Sequence, residues 1–182
     1  PAYRSNQLNG FPVVEFDGSD AMTADDIISG TTGRTIFLVG NVTSDVATSG
    51  FIEFDKDRAG GTGGSYLIRG EVAVRVGGNT QYDQAMGSSY QLLTIRNADN
   101  AEVADVQAFL DGAELNGTPS GTVSLNTNNG GTIIGGYNEG ANAELNGNIA
   151  EIIVYDQELD ELQKLIVENY LAAKYNLNLA ND

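Results

Sequence analysis

Cysteine, histidine and tryptophan are absent from this 182-residue chain, and only 3 prolines and 9 basic residues occur in it. Without cysteine there is no disulfide framework and no thiolate to act as nucleophile or ligand. Without histidine there is neither a Ser-His-Asp triad nor a histidine-ligated zinc. Without tryptophan, the broadest platform for stacking on a sugar ring is missing. No apolar run approaches the roughly 18 residues of a membrane-crossing helix, so membrane insertion is not expected. The chain begins at Pro1 with no signal-like segment, and is expected to be a piece of a longer protein with neighbouring domains. The 9 basic residues face 25 acidic ones, a net charge of −16 that repels phosphate backbones and excludes nucleic acid as a partner.

What is present reads as strands. Apolar and β-branched runs recur at Pro12–Phe16, Thr35–Val42, Phe51–Phe54, Tyr66–Arg69, Glu71–Val76, Tyr90–Arg96, Val103–Leu110, Thr122–Leu125, Thr132–Ile134 and Asn148–Tyr155, separated by Gly, Asn, Asp and Ser clusters. No boundary or repeat divides them, so residues 1–182 are expected to form a single domain, monomeric in isolation, of two packed antiparallel sheets: an all-β jelly-roll sandwich. "LDGAEL" supplies a tight hairpin through Asp111 and Gly112, and Ala24–Ile28 is expected to make a short helical turn.

The end of the chain differs. In Asn148–Tyr155, alternation places Ile149, Glu151, Ile153 and Tyr155 on one side and Ala150, Ile152 and Val154 on the other, the pattern of a central strand. Asp156 or Asp160 then caps a helix in which Leu162, Leu165, Ile166, Asn169, Tyr170 and Ala173 recur at steps of three and four. This mainly apolar stripe is expected to lie against the sandwich.

Candidate binding residues come from the pleat and from aromatic placement. Val72, Val74 and Val76 share a core-facing side, leaving Ala73 and Arg75 on the other; Leu93 and Ile95 do the same, leaving Leu92, Thr94 and Arg96. If both strands belong to the concave sheet, Arg75, Thr94 and Arg96 project from it. Tyr82, Tyr90 and Tyr137 are the aromatic candidates. Calcium is the expected cofactor, because oxygen-bearing residues crowd the loops at 97–105 and 137–144, with Asp99, Asn100, Asp105, Asn138 and Glu139 as ligands. "RAGGTGGSY" is followed by a strand rather than a helix N-terminus, which removes a phosphate-loop reading.

The stretch "GNIAEIIVYDQELDELQKLIVENYLAAKYNL", with its VExYLAxKY-type helix, resembles the end of bacterial laminin-G-like, concanavalin A-like jelly-roll domains. "FPVVEFDGSDAM", "RTIFLVGNV", "YQLLTIRNA", "AFLDGAEL" and "GGTIIGGYN" resemble the preceding strands of that family in the same order. The resemblance implies a sandwich with one C-terminal helix, and Asp17 as a structural turn residue. It also puts "EFDKD" beside the catalytic strand of related glucanases, where alternate carboxylates face one cleft. Here the last position is Asp57 rather than Glu, so no catalytic residue is assigned.

Resemblance and missing chemistry together imply a non-catalytic module of a secreted or surface-anchored bacterial adhesin that binds a glycan or a peptide on a cell surface. Arg75 or Arg96 would fork onto a ligand carboxylate. A glycan-degrading enzyme or its accessory carbohydrate-binding domain, and a structural spacer without ligand, are the alternatives.

Overall fold

The computed structural model describes residues 1–44, 49–54, 66–70, 72–76, 78–120, 123–127, 130–137 and 144–180. The side chains of Tyr66, Leu67, Ala73, Arg75, Val76, Asn79 and Ser120 lie outside that description.

The layering is set by strand β4, Arg34–Val42, which is buried along its whole length. Ile36 and Leu38 join one apolar cluster while Phe37 and Val39 join another, so the strand is covered on both faces and must belong to a middle layer. It lies in sheet A, of strand order β1 (Ala2–Leu8), β2 (Phe11–Asp17), β14 (Asn146–Tyr155), β4, β9 (Gln91–Asn97), β10 (Gln107–Leu110), β11 (Ala113–Glu114). Sheet B runs β12 (Gly117–Ser120), β8 (Gly78–Tyr82), β7 (Ala73–Val76), β6 (Tyr66–Arg69), β5 (Gly50–Phe54), β13 (Thr132–Ile134), β3 (Met22–Ala24). Neighbouring strands in both sheets are antiparallel. Ile36, Leu38, Leu93 and Ile95 of sheet A meet Ile52, Ile68 and Val74 of sheet B in the inner core. The outer face of sheet A carries helix α1, Glu161–Tyr175. The expected sandwich with one C-terminal helix is therefore the observed fold, among the described residues.

Several local expectations change. Residues 103–105 form a 3-10 turn, so only Gln107–Leu110 of the run 103–110 is strand. Val72 is not part of its strand; it sits at φ 46° in the turn before β7, its side chain buried. Such a backbone is strained for a β-branched residue and is tolerated here because the side chain enters the core. Ser124 makes only an isolated bridge to Glu102, and Met22–Ala24 is a short strand where a helical turn was expected nearby. Glu71, Val76's side chain and Thr122 lie outside the described residues. The hairpin at Asp111 and Gly112 forms as expected, with both residues at positive φ.

A register shift between Ile149 and Glu151, where β14 crosses β4, overturns the simple alternation at the chain's end. One extra residue reverses the parity of everything before it. Ile149 thus joins Ile152 and Val154 on the inner core, while Ala150 joins Ile153 and Tyr155 under the helix.

The helix is capped as the sequence requires. Asp160 accepts from the Gln163 amide at 2.8 Å, Gln163 accepts in return from the Asp160 amide at 3.0 Å, and Asn176 closes the other end at φ 55°. Its orientation is the reverse of the expected one. Leu162, Ile166 and Tyr170 are 67%, 60% and 53% exposed, whereas Lys164, Glu168, Leu171, Ala172 and Tyr175 face the sheet. Periodicity weighed the apolar stripe but gave no credit to two opposite charges one turn apart. Buried together, they neutralise each other: Lys164 Nζ lies 3.1 Å from Glu168 Oε2, and the other Glu168 oxygen accepts from the Thr94 hydroxyl at 2.8 Å. The Lys164 ammonium also rests 4.0 Å from the centre of the Phe109 ring, a cation–π contact.

Breaking this pair should be costly, and replacing both partners should not. Glu168→Gln is expected to lower the unfolding free energy by about 3 kcal/mol, and the triple change Lys164→Met, Glu168→Leu and Thr94→Val, which also removes the hydroxyl that Glu168 accepts from, by less than about 1 kcal/mol. Ile166→Ser, at an exposed position, should stay within about 0.5 kcal/mol of the parent. Urea midpoints test all three; a larger loss for Ile166→Ser than for Glu168→Gln would restore the apolar-stripe orientation.

Candidate functional site

With α1 on sheet A, the outward face of sheet B is the larger surface that carries no helix among the described residues. Ile52 and Ile68 pair in register and point into the core, so the alternating residues Glu53 and Arg69 lie on the outward side. Arg69 pairs in register with Gly50. A side chain at Gly50 would put its Cβ 2.6 Å from Tyr137 Cδ1, so the glycine makes room for the tyrosine ring. The Gly135 amide donates to the Phe51 carbonyl at 2.9 Å and anchors the approach to Tyr137. The Arg69 guanidinium lies 5.8 Å from the Tyr137 ring centre, and both residues are half-buried.

This arrangement combines an aromatic ring with a planar set of N–H donors. A fork of that kind recognises a carboxylate or a pair of hydroxyls, while the ring offers an apolar flank. Glu53, 3% exposed, lies on the same face. Asp55 and Asp57, its partners in the carboxylate reading of "EFDKD", lie outside the described residues.

The other sequence candidates scatter. Arg75 is in β7, in register with Leu67 of β6 and Asn79 of β8, so it belongs to sheet B; its side chain lies outside the described residues. Arg96 belongs to sheet A, which separates the two arginines that were expected on one concave surface. The Arg96 side chain donates to Gln107 Oε1 at 2.8 Å and to the Leu159 carbonyl at 3.3 Å, pairs with Glu161 at 3.1 Å, and lies over the Phe109 ring. It ties the start of α1 to the sheet. Thr94, fully buried, holds Glu168 in the same layer. Tyr82 is buried with its hydroxyl donating to the Val106 carbonyl at 2.7 Å, a core role. Of the aromatic and sheet candidates, Tyr137 is the one found beside a cation on the helix-free face. Arg69 was missed because the signal for it, a register position opposite a glycine far away in the chain, exists only once the strands pair.

The first acidic loop is used internally. Asp99 Oδ1 accepts from the Gly33 amide at 2.5 Å, Asn100 Oδ1 from the Thr31 hydroxyl at 2.9 Å, and Asp105 Oδ2 from the Glu102 amide at 2.9 Å. Asn138 and Glu139 lie outside the described residues. Among the described residues, no three of Asp, Glu, His or Cys come together in a way that could hold a metal ion. No described helix is long and apolar enough to cross a membrane.

No family model matches the chain, and no curated protein matches it by sequence. Solved structures do. The IT-sialidase CBM40 of Ruminococcus gnavus bound to α2,3 sialyllactose superposes with a TM-score of 0.58 at 13% identity, over 86% of this chain and 95% of that one. Domain 4 of AbnA, a GH43 extracellular arabinanase from Geobacillus stearothermophilus in complex with arabinotriose, gives 0.59 at 15% identity over 89% of this chain and 78% of that one. The binding domain of botulinum neurotoxin serotype D gives 0.55 at 12% identity, over 93% of this chain and 44% of that one. At these identities the likeness is one of fold: this chain has the lectin-like β-sandwich found in carbohydrate-binding modules.

Proposed function

We propose that this chain is a non-catalytic, glycan-binding module that engages acidic sugars on the outward face of sheet B, through Arg69 and Tyr137 with Arg75 on a neighbouring strand. The observation that carries the reading is the stack of Arg69 on Tyr137 on the face that α1 leaves open. The fold likeness supports it, since the superposed sialidase module holds sialyllactose, a carboxylate-bearing glycan, and the superposed arabinanase domain holds arabinotriose. Guanidinium forks suit a sugar carboxylate, and a tyrosine face suits the ring's C–H side. A peptide carboxylate would satisfy the fork but leave the aromatic flank without a purpose.

This reading is one of binding rather than turnover. Glu53 is sealed from solvent, so its carboxylate has no route to attacking water. Placement in a secreted or surface-anchored bacterial adhesin belongs to the same proposal, supported by the acidic surface and by the extracellular enzyme among the superposed structures. Calcium belongs to the same proposal, as a cation that offsets the charge of the 25 acidic residues.

Titration calorimetry with α2,3 sialyllactose tests the reading. Binding is expected, and Arg69→Ala should weaken it by about 10- to 100-fold, the loss of one charge-assisted fork. An unchanged affinity in that variant, with the fold intact by circular dichroism, would remove sheet B as the site.

Two further measurements bear on the same proposal. Incubation with sialosides and arabinans should release no product. Chelator should lower the melting temperature relative to calcium buffer, because unscreened carboxylates repel in the folded state; coincident melting curves would eliminate the calcium component.

A further inference from the structure

The helix-bearing face of sheet A changes character beyond the helix. Outward positions along β4 run Phe37, Val39, then Asn41; along β14 they run Tyr155, Ile153, Ala150, then Asn148 and Asn146. On β2, Glu15 and Asp17 stand in register with Asn148 and Asn146. Two cross-strand rows result, Glu15–Asn148–Asn41 and Asp17–Asn146, with Thr43 beside the second. They line a cleft of about 240 Å³.

The hydrogen bonds within these rows leave acceptors open on Asn148 and Asp17, beside the side-chain NH₂ of Asn146. The Asn148 backbone amide and side-chain NH₂ both donate to Asn41 Oδ1 at 2.9 Å, and Asn41 donates onward to the Ser88 carbonyl at 2.8 Å. Asn148 Oδ1 therefore accepts nothing from the described residues. Asp17 Oδ1 takes both the Ser19 amide at 3.0 Å and the Ser19 hydroxyl at 2.6 Å, which holds the carboxyl below the usual carboxylate range and leaves Oδ2 open. Arg4 forks onto Glu15 at 2.8 and 3.3 Å, so one of the two carboxylates is already balanced.

The floor is fixed. A Cβ on Gly147 would run into the Asn41 carbonyl, and one on Gly40 would come within 2.6 Å of the Asn148 carbonyl, so only glycines let these strands close.

We propose that this cleft is a second carbohydrate subsite, which takes the paired hydroxyls of a neutral sugar as donors to Asn148 Oδ1, Asp17 Oδ2 and Glu15. Its acceptor-rich lining repels anions. Two carboxylates, one of them matched by Arg4, fall short of the six to eight oxygens that a hard cation gathers. Sugar hydroxyls satisfy acceptors without adding charge. The inference stands apart from the reading of sheet B, because it rests on different strands and on acceptors where that reading rests on the donors of Arg69.

The test is amide chemical-shift mapping of the whole chain against maltotriose and xylotriose as neutral probes, with calcium chloride and sialyllactose in parallel. Saturable shifts are expected at residues 15–17, 43 and 146–148 with at least one neutral probe. Glu15→Gln should weaken that response severalfold, and Asp17→Ala by about tenfold. Arg69→Ala should leave it intact while removing the response to sialyllactose. Three results would overturn the proposal: no saturable shifts there with either neutral probe, shifts there with calcium alone, or loss of the neutral-sugar response in Arg69→Ala. Mapping on the parent protein decides the matter even if Asp17→Ala fails to fold.

Discussion

Lys164 and Glu168, a turn apart and both sealed from water, fix how α1 lies on sheet A. A single buried charge costs several kcal/mol to desolvate, so each requires the other, and Glu168 also requires the Thr94 hydroxyl. Rotating the helix to bury Leu162 and Ile166 would strand Thr94 and expose Leu171 and Tyr175. One rotational setting therefore satisfies both the charges and the apolar contacts. That setting divides the surfaces between them: Phe37, Val39 and Leu92 are covered and Arg96 is committed to the helix start, while the outward face of sheet B and the end of sheet A beyond the helix lie outside the reach of α1.

These two surfaces have opposite hydrogen-bonding character. Arg69 brings donors and positive charge, whereas Asp17, Glu15 and Asn148 bring acceptors. On a chain of net charge −16 a positive spot survives only locally, but screening at physiological salt limits the reach of the other charges to roughly 8 Å.

The fold was legible wherever a residue's role depends on its own strand or turn. Val74, Leu93 and Ile95 went inward as alternation requires, Asp111 and Gly112 made the hairpin, and Asp160 capped the helix. Strand β1 was invisible because it is an exposed edge strand, "AYRSNQL", with no buried face to impose a period. The bulge at Ile149 and Glu151 left no trace in composition. The helix orientation was misread because a charged pair can be a buried pair. Alternation also shows that Arg75 and Arg96 leave the core but not which sheet each leaves from, and that pairing decision separates them. The Tyr137–Arg69 contact depends on Gly50, a residue whose meaning appears only when β5 and β6 are aligned.

Strand β14, which comes after the thirteen other described strands in sequence, lies in the interior of sheet A between β2 and β4. During synthesis β2 and β4 therefore leave the ribosome with a gap between them that nothing upstream can fill, and their inner edges wait unpaired. Pairings of such long sequence separation are slow, because the loop must be closed before any contact repays its entropy. The sandwich consequently cannot complete its middle layer until β14 has emerged, and α1, which follows β14, docks on that layer afterwards. Until then the partly folded sandwich carries open strand edges, the feature that makes incompletely folded β proteins prone to associate.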